Sequence, residues 1–240
     1  MTPQIELLQF DTPEALAQAA AAAWLREIAA AQQAGRPHTV ALSGGRITQK
    51  FFQATVAQSR SLGLRLTNVH FFWADERCVA PDHADSNFKL ANDLLFQPLN
   101  LPANQIHRLR GEDSPQAAVK TAESELWQIA QQDKNGRPIL DLVLLGMGED
   151  GHIASLFPNA GPEVLQCVMP FLAVGNSPKP PPMRISLSYQ AIADARQVWA
   201  LVSGAGKAAA FQDVQQPGGV TPLAKVVQRR PVRIFSDLPK

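Results

Sequence analysis

Between Asp141 and Pro158 the chain reads DLVLLGMGEDGHIASLFP, an apolar run that breaks into three glycines, two acids and one histidine. His152 is the side chain of that turn whose ordinary pKa allows proton exchange near neutrality. Gly146, Gly148 and Gly151 let backbone come close and adopt conformations closed to other residues. An imidazole placed just past the most apolar strand of a chain is where an α/β architecture puts a catalytic base, and a short helix over ASLF is expected to follow it. Asp150, two residues before the histidine, is one candidate to orient the ring.

A second cluster, FFWADERCVAPDHADSN, sets Asp75, Glu76 and Arg77 directly after an aromatic strand. A carboxylate and a guanidinium there can divide the work, with Arg77 on an anionic substituent and Asp75 on hydroxyls or protons. Asp75 is therefore the other candidate to support His152. A third, ALSGGRITQKFF, places Gly44 and Gly45 between a strand and a helix, where backbone N–H groups and the helix dipole favour an anion. Ser43 and Thr48 are expected to add hydroxyl donors and Arg46 a guanidinium fork. The spacing is neither the Walker A loop nor the GxGxxG dinucleotide fingerprint. Two more cations complete the set. Arg184 opens the strand-like run RISLS, and Lys207 enters the first turn of a helix in VSGAGKAAAF. A lysine at a helix N-terminus opposes the dipole, a local conflict that a bound anion relieves.

The elements that must position these groups follow from periodicity. Strands are expected over 38–45, 68–76, 140–148, 197–206 and 231–235, each ending in glycine, acid or polar residues. Helices begin at Thr12-Pro13-Glu14, at Asp85-Ser86 and at Ser114-Pro115, each with an N-capping side chain. Near-continuous apolar strands separated by helices imply an α/β fold with a mostly parallel sheet covered on both faces. Ligands bind beyond the carboxyl ends of such strands, and the chemical residues stand at those ends.

The 240 residues fit one domain, 1–240, with no low-complexity linker; GNSPKPPPMR (175–184) is a short proline-rich connector. Lys and Arg number 22 against 21 Asp and Glu without a block of like charge, so neither nucleic acid nor a membrane surface is an expected partner. The anion must be small and locally held. Cys78 and Cys167 lie far apart with no CxxC, so two reduced thiols are expected, with no structural metal. The first residues show no basic and apolar leader pattern, which makes a cytoplasmic protein the expectation. No GxSxG elbow is present, which argues against a serine hydrolase.

Together these stretches resemble the 6-phosphogluconolactonase family, related to the glucosamine-6-phosphate deaminases. The likeness runs from LSGG through WADERCVAPDHADSN, LLGMGEDGHIASLFP and RISLS to SGAGKAAAF. It implies a three-layer α/β sandwich around a Rossmann-like sheet. It also implies hydrolysis of 6-phospho-D-glucono-1,5-lactone to 6-phosphogluconate in the pentose phosphate pathway, without a cofactor. Carried over by residue, His152 resembles the base, Ser43, Gly44 and Gly45 belong to the phosphate or sugar site, and Arg77, Arg184 and Lys207 are its cations. The chain departs from the family's usual Ser-Thr-Pro after SGG, having Arg46-Ile47-Thr48, and its ending VRIFSDLPK is also unusual. The deaminase relatives carry a similar DGHIA but continue to a glutamate five residues past the histidine, where this chain has Phe157. A non-catalytic sugar-phosphate sensor on the same scaffold is the alternative of another class. A monomer or homodimer acting on a small phosphosugar lactone is the expected form.

Overall fold

A computed structural model of the chain describes residues 4–239. Strands β1 (Ile5–Gln9), β2 (His38–Leu42), β3 (Val69–Trp73), β4 (Asp75–Arg77), β5 (Gln131–Gln132), β6 (Pro138–Ile139), β7 (Leu142–Gly146), β8 (Phe171–Val174), β9 (Arg184–Leu187), β10 (Gln197–Val202) and β11 (Val232–Ser236) alternate with helices. The helices are α1 (Pro13–Gln33), α2 (Arg46–Leu62), α3 (Asn87–Ala91), α4 (Gln97–Leu99), α5 (Pro115–Ile129), α6 (Pro162–Leu165), α7 (Tyr189–Asp194), α8 (Ala208–Gln215) and α9 (Pro222–Val227).

Six strands form one sheet in the order β1-β11-β10-β7-β2-β3, and every pairing in it is parallel. Successive side chains of a strand point to opposite faces, yet all five residues of β2 and the last five of β10 are buried. Both faces are therefore covered, as a parallel sheet requires. The expected strands correspond to β2, β3, β7, β10 and β11. The edge strand β1 was not anticipated; its burial is only partial, so it shows no continuous apolar run.

The topology fixes where a ligand belongs. From β2 the chain crosses to β3 at one edge, then returns to β7 on the other side of β2 and proceeds outward through β10 and β11. The strand order thus reverses between β2 and β7, and the crevice beyond the carboxyl ends of that pair is the switch point of the sheet. Ser43-Gly44-Gly45 extends β2 and Met147 to His152 extends β7, so two of the chemical stretches flank the crevice directly.

A second, antiparallel sheet, β4-β9-β8, lies beside it. Ala74 breaks the aromatic run: its N–H donates to Leu42 O and its C=O accepts from Leu187 N, each at 2.7 Å, so the two sheets are stitched at this residue. The expected caps are in place. Thr12 Oγ1 accepts from Ala15 N at 3.1 Å, Ser86 Oγ from Lys89 N at 3.1 Å and Ser114 Oγ from Ala117 N at 3.4 Å.

One expected element is absent. ASLF forms no helix; it is a tight turn in which Ile153 bridges both Met147 and Leu156, with Ala154 at φ 47. Ile153, Ser155 and Leu156 are all fully buried, so the segment has no polar face for a surface helix to show.

Candidate active site

Ser43, Gly44, Gly45 and Arg46 from the first loop, Asp75 and Arg77 from β4, Gly146, Met147, Gly148 and His152 from the β7 end, and Ser203, Gly204 and Lys207 from the β10 end line one cleft of about 340 Å³. It lies over the switch point, and four separate stretches of sequence meet there. Of the ten residues expected to act, eight line this cleft; Asp150 stands behind His152 and Arg184 lies in the wall.

His152 is partly buried, and its Nδ1 lies 2.5 Å from Asp150 Oδ1, which also accepts the His152 backbone N–H at 3.3 Å. Holding the Nδ1 proton leaves Nε2 as the free lone pair of the neutral ring. Burial pushes the His152 pKa below its ordinary value, against the opposing pull of the Asp150 carboxylate. For Asp150 itself burial works upward, but the hydrogen bond and charge of His152 outweigh it and keep the carboxyl below the usual range. The geometry thus assigns the orienting contact to Asp150, the choice the sequence left open. The close turn requires glycine at 148, because a Cβ there would stand 2.1 Å from His152 Nδ1 and 2.6 Å from Asp150 Oδ1. Phe157 packs against the imidazole at a centroid distance of 4.9 Å, so an apolar ring occupies the position where the deaminase motif has its glutamate.

Asp75 is buried and held from three sides. Its Oδ2 accepts from Ser155 Oγ at 2.7 Å, its Oδ1 from Asn87 Nδ2 at 3.2 Å, and Arg184 Nη1 stands 4.0 Å away. Glu76 is structural. Its carboxylate accepts the backbone N–H groups of Arg77, Asn87 and Phe88 and the Ser86 hydroxyl, closing the loop 78–86 onto the start of α3. Burial pushes its pKa up despite those bonds. The same loop seats Arg77, whose Nη1 donates to Asp85 O at 2.8 Å while its buried Nε has no intramolecular acceptor.

In the first loop Gly45 has φ 108, a conformation open to glycine, and serves as the N-cap of α2 without a capping side chain. The first-turn N–H groups of α2 are therefore left for solvent or ligand. The Ser43 hydroxyl is buried and unpartnered at the cleft wall. Thr48 differs from expectation: its hydroxyl turns away and donates to Gly44 O at 2.9 Å, bracing the turn instead of facing the cleft. Arg46 is exposed on the rim.

Lys207 sits at the N-cap of α8. Burial, and after it the charge of Arg46, press its pKa down, while Asp237 and Glu149 oppose them. Arg184 is instead 4% exposed, with its guanidinium engaged by the carbonyls of Lys179, Pro180 and Pro181. Nε and Nη2 thus brace the connector, and Nη1 is the end of the guanidinium turned toward Asp75, at 4.0 Å.

Several participants were not singled out from sequence. Lys50 lines the cleft while paired to Glu14 at 2.5 Å. Asn87 underlies Gly44 so closely that a Cβ there would lie 1.9 Å from its Oδ1. Asp237, in the unusual C-terminal stretch, accepts from Ser203 Oγ at 2.6 Å and Gly204 N at 3.0 Å, fixing the loop that leads to Lys207. No sequence spacing signals these pairings, since the partners lie 33 or more residues apart.

Known proteins fit this picture. The family model described as glucosamine-6-phosphate isomerases/6-phosphogluconolactonase matches residues 11–235. A probable chloroplastic 6-phosphogluconolactonase 3 of Oryza sativa subsp. indica is 37% identical over 97% of this chain and 74% of its own length. The 6-phosphogluconolactonase of Mycobacterium tuberculosis is 35% identical over 93% of this chain and 90% of its own. The crystal structure of a 6-phosphogluconolactonase from Shewanella baltica superposes with a TM-score of 0.82 at 26% identity, covering 98% of each chain. With its model matched over nearly the full length, the chain belongs to the glucosamine-6-phosphate isomerase/6-phosphogluconolactonase family.

Proposed function

We propose that this single α/β domain hydrolyses 6-phospho-D-glucono-1,5-lactone to 6-phospho-D-gluconate, the lactone step of the oxidative pentose phosphate pathway. The observation that carries the reading is the imidazole of His152, oriented by Asp150, on the same cleft as Arg46, Arg77 and Lys207. The named relatives support the substrate class. Phe157 against the imidazole supports lactone hydrolysis over deamination, because an apolar ring cannot relay a proton.

In the reaction, His152 Nε2 removes a proton from water as the water oxygen bonds to C1 of the lactone, and the carbonyl electrons move onto its oxygen. When the tetrahedral oxyanion collapses, the bond from C1 to the ring oxygen breaks and the imidazolium returns its proton to that oxygen. General acid–base assistance of this kind is worth about 10² to 10⁴ in rate. Asp150 holds the ring and stabilises the imidazolium. The cations Arg46, Arg77 and Lys207 take the 6-phosphate, Ser43 and the N–H groups around Gly44 and Gly45 bind substrate oxygens, and Asp75 receives sugar hydroxyls. Arg184 serves by fixing Asp75 and the connector. Among the described residues no helix is long and apolar enough to cross a membrane; the proposed place of work is the cytoplasm.

The test is a coupled assay with freshly made 6-phosphogluconolactone, run beside glucosamine 6-phosphate and unphosphorylated gluconolactone and corrected for spontaneous hydrolysis. The reading requires a large enzymatic rate on the first substrate. Turnover of glucosamine 6-phosphate alone would replace it with the deaminase reading, and binding without turnover would favour a sensor.

A further inference from the structure

The proline-rich connector between β8 and β9 is tied down on both sides of Lys179. Arg184 Nε donates to Pro181 O at 3.2 Å, and its Nη2 donates to both Lys179 O and Pro180 O at 3.1 Å. Ser177 Oγ donates to Lys179 O at 2.8 Å and accepts from Lys179 N at 3.2 Å, while Ser177 N donates to Pro182 O at 2.9 Å. A half-exposed lysine on a free loop would lose much of any ion pair to side-chain and backbone freedom. Here the backbone freedom is already removed.

That fixed backbone aims the ammonium at a particular atom. Lys179 Nζ is 3.8 Å from Asp150 Oδ1, the same oxygen that stands 2.5 Å from His152 Nδ1. One carboxylate oxygen is therefore shared by an imidazole and an ammonium. Lys179 is not among the residues lining the cleft; its ion pair is with Asp150, behind the imidazole. We propose that Lys179 is a positioning residue for His152: a strap latched by Arg184 holds its ammonium on the Asp150 oxygen that orients the imidazole. The assignment rests on the reading of His152 as the base, and it gives the buried Arg184 a purpose that direct phosphate contact does not.

The charged surroundings of His152 fix the sign of the effect. Asp150 lies under Nδ1 and favours the protonated ring. Asp75, on β4, favours it more weakly and is itself held by Ser155, Asn87 and Arg184. Lys179 is the cation that opposes protonation, and Phe157 supplies an uncharged face. Removing Lys179 takes away the charge that offsets the two carboxylates and leaves burial alone against them, so the ring keeps its proton to higher pH.

The experiment is an NMR titration of the His152 ring in the ligand-free protein, its resonance assigned through His152→Gln, in wild type, Lys179→Met and Lys179→Arg. Lys179→Met is expected to raise the His152 pKa by about half a unit, the order of a single charge several ångströms away in a half-solvated site. Lys179→Arg restores the wild-type value. The acid limb of kcat on the phosphorylated lactone moves up by the same amount, with KM unchanged. A His152 titration that stays put in Lys179→Met overturns the proposal. So does a manyfold rise in KM with the titration unmoved, which would make Lys179 a substrate contact. If the titration moves but wild type shows no lactone hydrolysis, the coupling stands and the assigned reaction falls.

Discussion

Replacing Asp150 by asparagine isolates what the carboxylate does for the imidazole, because size and the backbone contact are kept while the charge is lost. The bond from His152 Nδ1 to Asp150 Oδ1 is 2.5 Å long, and the ring is 19% exposed at the side chain. A hydrogen bond to a charged partner in such a setting contributes roughly 1.5–3 kcal/mol. That contribution is largest when the ring is an imidazolium, as it is once the attacking water has given up its proton. Losing it raises the barrier by about the same amount and lowers kcat roughly 10- to 150-fold. The pH dependence gives an independent signature. Burial lowers the His152 pKa and Asp150 raises it. Without the carboxylate, burial and the Lys179 charge are opposed only by the weaker pull of Asp75, so the acid limb of kcat moves to still lower pH while the plateau falls. The assay is steady-state hydrolysis of 6-phosphogluconolactone across pH, with spontaneous hydrolysis subtracted. A plateau kcat within twofold of wild type, or an acid limb that moves up, would refute the assigned role of Asp150.

Other consequences follow from the same geometry. Arg77→Ala and Lys207→Ala each raise KM for the phosphorylated lactone by about tenfold or more, as loss of a charge-assisted contact of about 1.5–3 kcal/mol requires, and change KM for unphosphorylated gluconolactone little; equal effects on both substrates would contradict a phosphate role. Stability depends on pH through His38, a buried ring whose Nε2 accepts Trp24 Nε1–H at 3.1 Å and whose pKa burial pushes down. The unfolded chain takes up this proton below about pH 6.5 and the folded chain does not, so Tm falls as the pH drops from that value toward the lowered folded pKa. His38→Gln flattens this slope, and calorimetry showing the same slope in the variant would count against it.

Much of this architecture is legible in the residue order because burial on both faces makes β7 and most of β2 and β10 apolar. Thr12, Ser86 and Ser114 likewise announce helix starts through local hydrogen bonds. The carboxyl ends of those strands then nominate the site. What the sequence hides is direction and partnership. Thr48 is a hydroxyl next to a glycine loop, and only the helical geometry of α2 decides that it donates back to Gly44 O, four residues earlier. Arg184 reads as one more cation; that it is spent on three connector carbonyls depends on how β9 pairs with β4 and β8. ASLF contains good helix formers, but complete burial beside β7 overrides propensity. Asp237 was invisible because its partners, Ser203 and Gly204, are brought near it by the parallel pairing of β10 with β11.

The central claim is that His152 moves the proton, and steady-state kinetics of His152→Gln on 6-phosphogluconolactone tests it most directly. The account requires kcat to fall by about 10² to 10⁴ with KM within a few-fold of wild type, since the cations that grip the phosphate are untouched. Turnover close to wild type in that variant would contradict it.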